Sequence, residues 1–470
     1  MVNTETPSQP LTLTTEIPPI VARLRASFDA GRTKPIAWRR AQLRALRRLL
    51  VEERPTLEKA LQDDLGKPAL EAHTTEIGYV INEIDHTLKH LASWLRPKRV
   101  TVPMAMAPAK ARWVREPLGV VLIISPWNYP INLTLAPLVG ALAAGNAAVL
   151  KPSELSPATS SALAESLPRY LDGEAVAVVE GGVAESTTLL EERFDHIFYT
   201  GNGAVARIVM AAAVKHLTPV TLELGGKSPA VVEPGVDMAT TARRLAWGKF
   251  TNAGQTCVAP DYVLAIGASA AELQRELAAA ITEMFGADPK ASPDYGRIVN
   301  ERHLERLSAL LDSGEVVAGG RVDREDLYMA PTVLGNVDPS SPVMAEEIFG
   351  PILPVVSVPD LDAAIAFVNE RDKPLALYAF TDSQVTKRRL LTETSSGGVG
   401  FGLPIAHLAV PDLPFGGVGE SGMGAYHAQA SIDTFSHVKS VLDKSLALDT
   451  MRLAYAPITQ FKEKVLRRML

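Results

Sequence analysis

The chain has 470 residues, 47% of them hydrophobic and 21% charged, with a net charge of -6 and a single cysteine, Cys257. That length exceeds one simple core and predicts two or three domains. The acidic balance argues against a nucleic-acid or polyanion binder, whose surface must collect phosphates, and one cysteine cannot close an intramolecular disulfide.

Residues 1–17 carry no basic start and no continuous apolar run, so no signal peptide is expected and a cytoplasmic location is. The first ninety or so residues predict helices: Trp38, Leu43, Leu46, Leu49 and Leu50 recur at near-helical spacing. Arg39, Arg40, Arg44, Arg47 and Arg48 lie between them and read as a solvated face balanced by Glu52 and Glu53. Val120–Ile124 is a continuous apolar run, the pattern of a strand covered on both faces. Ile131–Leu150 is uncharged, but Asn132, Pro137 and Gly145-Asn146 break it into buried helix, turn and strand rather than a membrane span.

Further strands follow at Ala147–Leu150, Ala175–Val179, His196–Tyr199 and Val220–Glu223, with helices between them. Alternation of this kind predicts a doubly wound, mostly parallel α/β sheet, whose ligands sit beyond the carboxyl ends of the strands. A second α/β region begins after Gly226. It holds a strand at Tyr262–Ile266, a helix whose Ser269 and Glu272 have capping-box spacing, and a helix after Asp360 striped by Leu361, Ala364, Ile365 and Val368. The last dozen residues form a basic amphipathic pattern, with Phe461, Val465 and Met469 opposite Lys462, Lys464 and Arg468, read as a surface-docked helix.

The strand-end segments are where chemistry is expected. A lone cysteine is more often an inert core residue than a nucleophile. Cys257, however, follows Asn252-Ala253-Gly254-Gln255-Thr256, a polar loop on which a thiol can meet a substrate. Glu223-Leu224-Gly225-Gly226-Lys227-Ser228-Pro229 sets a carboxylate beside a Gly-Gly turn, and Ser125-Pro126-Trp127-Asn128-Tyr129-Pro130 sets an amide at another strand end. Glu346-Glu347-Ile348-Phe349-Gly350-Pro351 and Pro414-Phe415-Gly416-Gly417-Val418-Gly419 lie further on.

Together these five segments, taken in chain order, resemble the signature motifs of the aldehyde dehydrogenase superfamily, over about residues 20 to 445. Asp64-Leu65-Gly66-Lys67-Pro68 and Ser421-Gly422-Met423-Gly424-Ala425-Tyr426-His427 are most similar to its class 3 and coniferyl-aldehyde branch. The resemblance implies NAD(P)-dependent oxidation of an aldehyde to a carboxylic acid. Cys257 would attack the aldehyde, the Asn128 amide and the Cys257 N–H would hold the oxyanion, and Glu223 would activate the water that hydrolyses the thioester.

It also implies the cofactor contacts. Lys151 and Glu154 would hold the adenosine ribose, and Gly201, Asn202 and Gly203 the pyrophosphate at a helix start. Glu347 and the Phe349 backbone would hold the nicotinamide ribose, with Trp127 and Leu224 beside the cofactor. Glu154 favours NAD, since a carboxylate repels a 2′-phosphate; NADP is the alternative. No metal is expected. Gly402 and Leu403 stand where many coniferyl-type relatives carry Asn-Asp, and they imply a pocket for apolar aldehydes, aliphatic or simple aromatic.

The implied architecture is an aldehyde dehydrogenase-like fold. It has a Rossmann-like cofactor domain (1–95 and 114–224), an α/β catalytic domain (225–425), a small β oligomerisation arm (96–113 and 430–450) and a tail (451–470). A homodimer is expected through the arm. Two rivals remain: an acylating dehydrogenase that passes the thioester to coenzyme A, against which Glu223 argues, and a non-catalytic binding protein on the same scaffold.

Overall fold

In a computed structural model, residues 12–469 are described. The expected leaderless start at residues 1–11 and Leu470 of the basic tail lie outside the described residues.

The described residues up to Trp94 are helical as the periodicity predicts, with helices Ile17–Asp29, Ile36–Glu52, Arg54–Leu65 and Gly78–Trp94. Leu43, Leu46, Leu49 and Leu50 form the buried stripe of the second of these. Its arginines do not all face solvent, which corrects the expectation for that run. Arg39 is buried and donates to the carbonyls of Lys34 and Ala143. It closes the end of the helix Asn132–Ala144, and burial pulls its pKa down to about 10. Arg47 pairs with Asp85, while Glu52 and Glu53 accept from Tyr170.

Six strands form the first sheet, in the spatial order Gly422–Met423, Val220–Glu223, His196–Thr200, Val120–Ile124, Ala147–Lys151 and Val176–Val178. All neighbours are parallel except the first pair. The run Val120–Ile123 is fully buried because both faces are covered: Val121 and Ile123 enter one core, Val120 and Leu122 the other. Leu122→Ala would leave a cavity costing about 2–5 kcal/mol. Chain order reverses beside Val120–Ile124, so its carboxyl end and that of His196–Thr200 flank the switch point where such sheets bind ligands.

Ile131–Leu150 is the buried helix, turn and strand expected, with Gly145 at φ 96 making the turn. Among the described residues no helix is long and apolar enough to cross a membrane.

Seven strands form the second sheet, in the order Glu315–Ala318, Thr332–Gly335, Ile352–Val358, Tyr262–Ile266, Pro229–Val232, Ala376–Phe380 and Gly398–Phe401, antiparallel only at the first pair. The helix Leu361–Asn369 starts where Asp360 accepts from the Ala363 N–H. The capping box expected at Ser269 does not form. Ser269 is already inside the helix Ser269–Phe285, and its hydroxyl donates back to the Ile266 carbonyl.

A third sheet of Lys98–Val100, Lys110–Pro117 and Ser436–Asp443 is antiparallel throughout, with Trp113 opposite Ser440. The chain ends in the helix Gln460–Met469, on which Phe461 is exposed.

Candidate functional site

Beyond Ile124 the chain leaves the sheet through Ser125–Tyr129, anchored where the Ser125 N–H donates to the Lys151 carbonyl at 3.1 Å. Asn128 is buried there. Its amide Nδ2 donates to the Gln255 carbonyl at 3.0 Å, and its Oδ1 has no partner. One amide hydrogen is thus committed and the other is left for a ligand.

The cysteine loop follows the helix Met238–Phe250. Asn252, Ala253 and Gly254 are left-handed in succession (φ 54, 50 and 74). Two of them are not glycine, a strain that persists only where surroundings enforce it. The surroundings here are specific. A side chain at Gly254 would collide with the Gly350 carbonyl, so the loop lies directly on the segment that carries Glu347. Gln255 is clamped by the Arg297 carbonyl and the Val299 N–H, Thr256 meets Tyr129 Oη at 2.7 Å, and Tyr378 Oη donates to the Val258 carbonyl at 2.6 Å. Thr256 and Val258 are buried while Cys257 between them stays partly exposed. Burial pushes the Cys257 thiol up, Glu347 and then Glu223 push it further, and the N–H groups of Cys257 and Val258 pull it back. The resting group is a thiol, so attack needs a proton acceptor.

Glu223 ends the strand Val220–Glu223 and is buried, with neither carboxylate oxygen bonded. Burial alone holds its carboxyl well above the usual range. An unpaired buried carboxyl costs stability, and such groups cluster where proton transfer is needed. Leu224, next in the chain, donates its N–H to the Ser421 carbonyl, which fixes the Gly225-Gly226 turn.

Glu347 lies over that turn. A methyl at Gly225 would collide with its carboxylate. Burial and Asp261 raise its carboxyl to about 8 against the pull of Gly226, Lys227 and Lys249. The segment is held by Lys227, which donates to the Val343 and Glu346 carbonyls and pairs with Asp261, and by the Ile348 N–H bonded to Asp261. Glu347 thus faces the glycine turn and lies near enough to the thiol to raise it.

Of the expected cofactor residues, Trp127, Lys151, Glu154, Gly201, Asn202, Gly203 and Leu224 lie at or follow the carboxyl ends of strands of the first sheet, while Glu347 and Phe349 lie on the segment over the glycine turn. Lys151 is buried, donates to the Pro152 carbonyl and lies 3.6 Å from the exposed Glu154 carboxylate. Asn202 caps the helix Gly203–Val214 by accepting from the Val205 N–H, and Gly201 admits no side chain because Tyr199 Oη fills that space. The positive end of the helix therefore opens at the carboxyl edge, as a diphosphate requires. Trp127 meets Phe349 edge-on at 5.4 Å and His303 at 5.2 Å, and Phe349 itself takes φ 49. An ammonium and a carboxylate for a ribose diol, a helix start and an aromatic wall are features that fit a dinucleotide.

Sequence reasoning assigned no role to Lys67, Glu76, Gln255, Asp261, Lys227 or Lys249. The signal was present for some: Lys249 sits in the apolar stretch Trp247-Gly248-Lys249-Phe250, is fully buried, and has no hydrogen-bond partner.

The model of the aldehyde dehydrogenase family matches residues 8–441. The chain is 50% identical over 438 residues to the mouse "Aldehyde dehydrogenase, dimeric NADP-preferring", covering 93% of this chain and 97% of that one. It is 51% identical over 436 residues to human "Aldehyde dehydrogenase family 3 member B1", covering 93% of each. Among solved structures, the substrate-bound state of Staphylococcus aureus AldH superposes with a TM-score of 0.94 at 42% identity, over 96% of this chain and 99% of that one. A Mycobacterium tuberculosis aldehyde dehydrogenase complexed with NAD+ superposes at 0.84 with 28% identity, over 92% and 91%.

Proposed function

The chain belongs to the aldehyde dehydrogenase family and is an NAD(P)-dependent enzyme of it, and from that premise we propose that Cys257, Asn128 and Glu223 carry out the oxidation by way of a thioester. The observation that carries this reading is Glu223: a buried carboxyl with both oxygens free, on the strand end next to the thiol's surroundings.

Bound NAD(P)+ supplies the acceptor for the hydride that oxidation releases. The residues of the chain do the rest. The Cys257 sulfur adds to the aldehyde carbon as its proton passes to Glu223 and on to solvent, and the free Asn128 N–H and the Cys257 backbone N–H receive the oxyanion of the thiohemiacetal. After oxidation the acyl group is held on sulfur as a thioester. Glu223 takes a proton from water, the hydroxide adds to the thioester carbon, and the acid leaves as the thiol is restored. Glu223 supports hydrolysis over transfer to coenzyme A, since transfer needs no base for water. Formation of the free acid without coenzyme A, and loss of all nicotinamide reduction in Cys257→Ala, test the scheme.

Lys151 and Glu154 would hold the adenosine ribose, Gly201, Asn202 and Gly203 the pyrophosphate, and Glu347 and Phe349 the nicotinamide ribose, with Trp127 and Leu224 lining the cofactor. Glu154 supports a preference for NAD. The exposed Leu403 and side-chain-free Gly402 support apolar aldehydes as substrates. The division into a cofactor domain, a catalytic domain and a β arm is supported by the three sheets except at two borders: Gly422–Met423 pairs into the first sheet, and the arm strand Lys110–Pro117 runs past residue 113; the arm's exposed strand Ser436–Asp443 supports homodimerisation. A cytoplasmic location completes the reading.

A further inference from the structure

Lys67 and Glu76 form an ion pair with no side-chain exposure on either partner. Burying such a pair adds little net stability, because desolvation offsets the attraction. What the pair holds is therefore informative. Lys67 Nζ donates to the Asn128 carbonyl at 3.0 Å and lies 4.2 Å from the centroid of the Tyr129 ring. Glu76 sits on a π-helical turn, His73–Ile77, and its second oxygen accepts from the N–H groups of Ile131 and Asn132, at 2.8 and 3.3 Å. One pair thus grips the chain on both sides of Tyr129, immediately after the oxyanion amide.

The grip closes into a ring. Asn128 donates to the Gln255 carbonyl, Gln255 donates to the Arg297 carbonyl, and the Arg297 N–H donates to the Leu65 carbonyl, two residues before Lys67. Asn252 Nδ2 adds a second donor to the Asn128 carbonyl at 2.8 Å. Gly66, left-handed at φ 59 and packed against Arg297, ends the helix Arg54–Leu65 and turns Lys67 inward.

We propose that Lys67 and Glu76 are positioning residues for the oxyanion site, fixing the Asn128 backbone so that its amide is aimed beside Cys257. The proposal rests on the reading of Asn128 as an oxyanion donor. Displacement of such a group by about 1 Å costs on the order of 100-fold in rate.

The test is a cycle of wild type, the paired variant Lys67→Met/Glu76→Gln, Asn128→Ala, and all three substitutions together, in steady state with saturating NAD. Met removes the cation and Gln keeps an acceptor for Ile131 and Asn132, so no buried charge is left unpaired. The paired variant should lose about 10- to 100-fold in kcat with KM for NAD nearly unchanged. It should cost nothing further once Asn128 is alanine, the non-additivity of groups that act through one another. A normal kcat in the paired variant, or losses that multiply in the triple variant, would overturn the proposal. Should the paired variant not fold, Lys67→Arg, which keeps the buried charge paired with Glu76 while changing its reach to the Asn128 carbonyl, enters the same cycle and is judged by the same two results. A wild-type kcat in Asn128→Ala would instead remove the oxyanion reading itself, and the proposal with it.

Discussion

Asn128 and Gln255, 127 residues apart in sequence, are joined by a 3.0 Å hydrogen bond from the buried Asn128 amide to the Gln255 carbonyl, two residues before Cys257. This bond ties the segment that follows the strand Val120–Ile124 to the loop before Cys257 and leaves one amide hydrogen for the proposed oxyanion. Asn128→Ala should lower kcat by about two to three orders of magnitude, the usual cost of one oxyanion donor. Steady-state rates with saturating NAD and aldehyde would show it. A loss confined to KM would mean that the amide only binds substrate.

Glu154 is exposed, and its carboxylate stands 3.6 Å from the buried Lys151 ammonium. Replacing it with Gln removes a charge that repels a 2′-phosphate while leaving Lys151 to attract one. The ratio of kcat/KM for NADP to that for NAD should therefore rise by about tenfold, on the order of 1.4 kcal/mol. An unchanged ratio would place the discriminating residue elsewhere.

Glu347 gives a stability effect of definite sign. Its folded carboxyl titrates near 8, against roughly 4.3 in an unfolded chain, so the folded state binds the extra proton. Its contribution therefore weakens the apoenzyme progressively as pH rises from about 5 to 8. Glu347→Gln does not titrate, and its melting temperature should exceed that of wild type by a margin that grows over that interval. Taking the difference between the two proteins removes the effects of groups that do not interact with Glu347. Parallel melting curves would show that the Glu347 carboxyl is already ionised at pH 5.

Gly402 lies at φ 73 and its carbonyl accepts from Arg244 at 2.7 Å, so the turn is held by backbone. Asparagine tolerates that conformation. Gly402→Asn/Leu403→Asp should fold, and should lower kcat/KM for long apolar aldehydes relative to phenol-bearing ones. A wild-type rate profile that peaks on small polar aldehydes would contradict the apolar pocket.

Much of this was legible in the sequence, for a physical reason. Strands covered on both faces must be apolar runs, so Val120–Ile124 and its neighbours are visible from composition alone. The glycine turn after Glu223 and the polar loop before Cys257 mark where backbone must bend at strand ends. What stayed hidden depends on partners far along the chain. Arg39 looks like any helix-surface arginine until the end of the helix Asn132–Ala144 arrives beside it. Ser269 has the spacing of a cap, but the Ile266 carbonyl takes its hydroxyl. Lys67 and Glu76 are nine residues apart, a spacing no helical periodicity favours, and the π-helical turn that carries Glu76 is not encoded in any apolar pattern.

The central claim is that Cys257 carries an acyl group which Glu223 then releases. The most direct measurement is intact mass of Glu223→Gln after mixing with NAD and an aldehyde of known mass. The account predicts one burst of nicotinamide reduction per active subunit, slow turnover afterwards, and an acyl adduct mapped by peptide analysis to Cys257. Continued turnover at the wild-type rate with no adduct on Cys257 would contradict it.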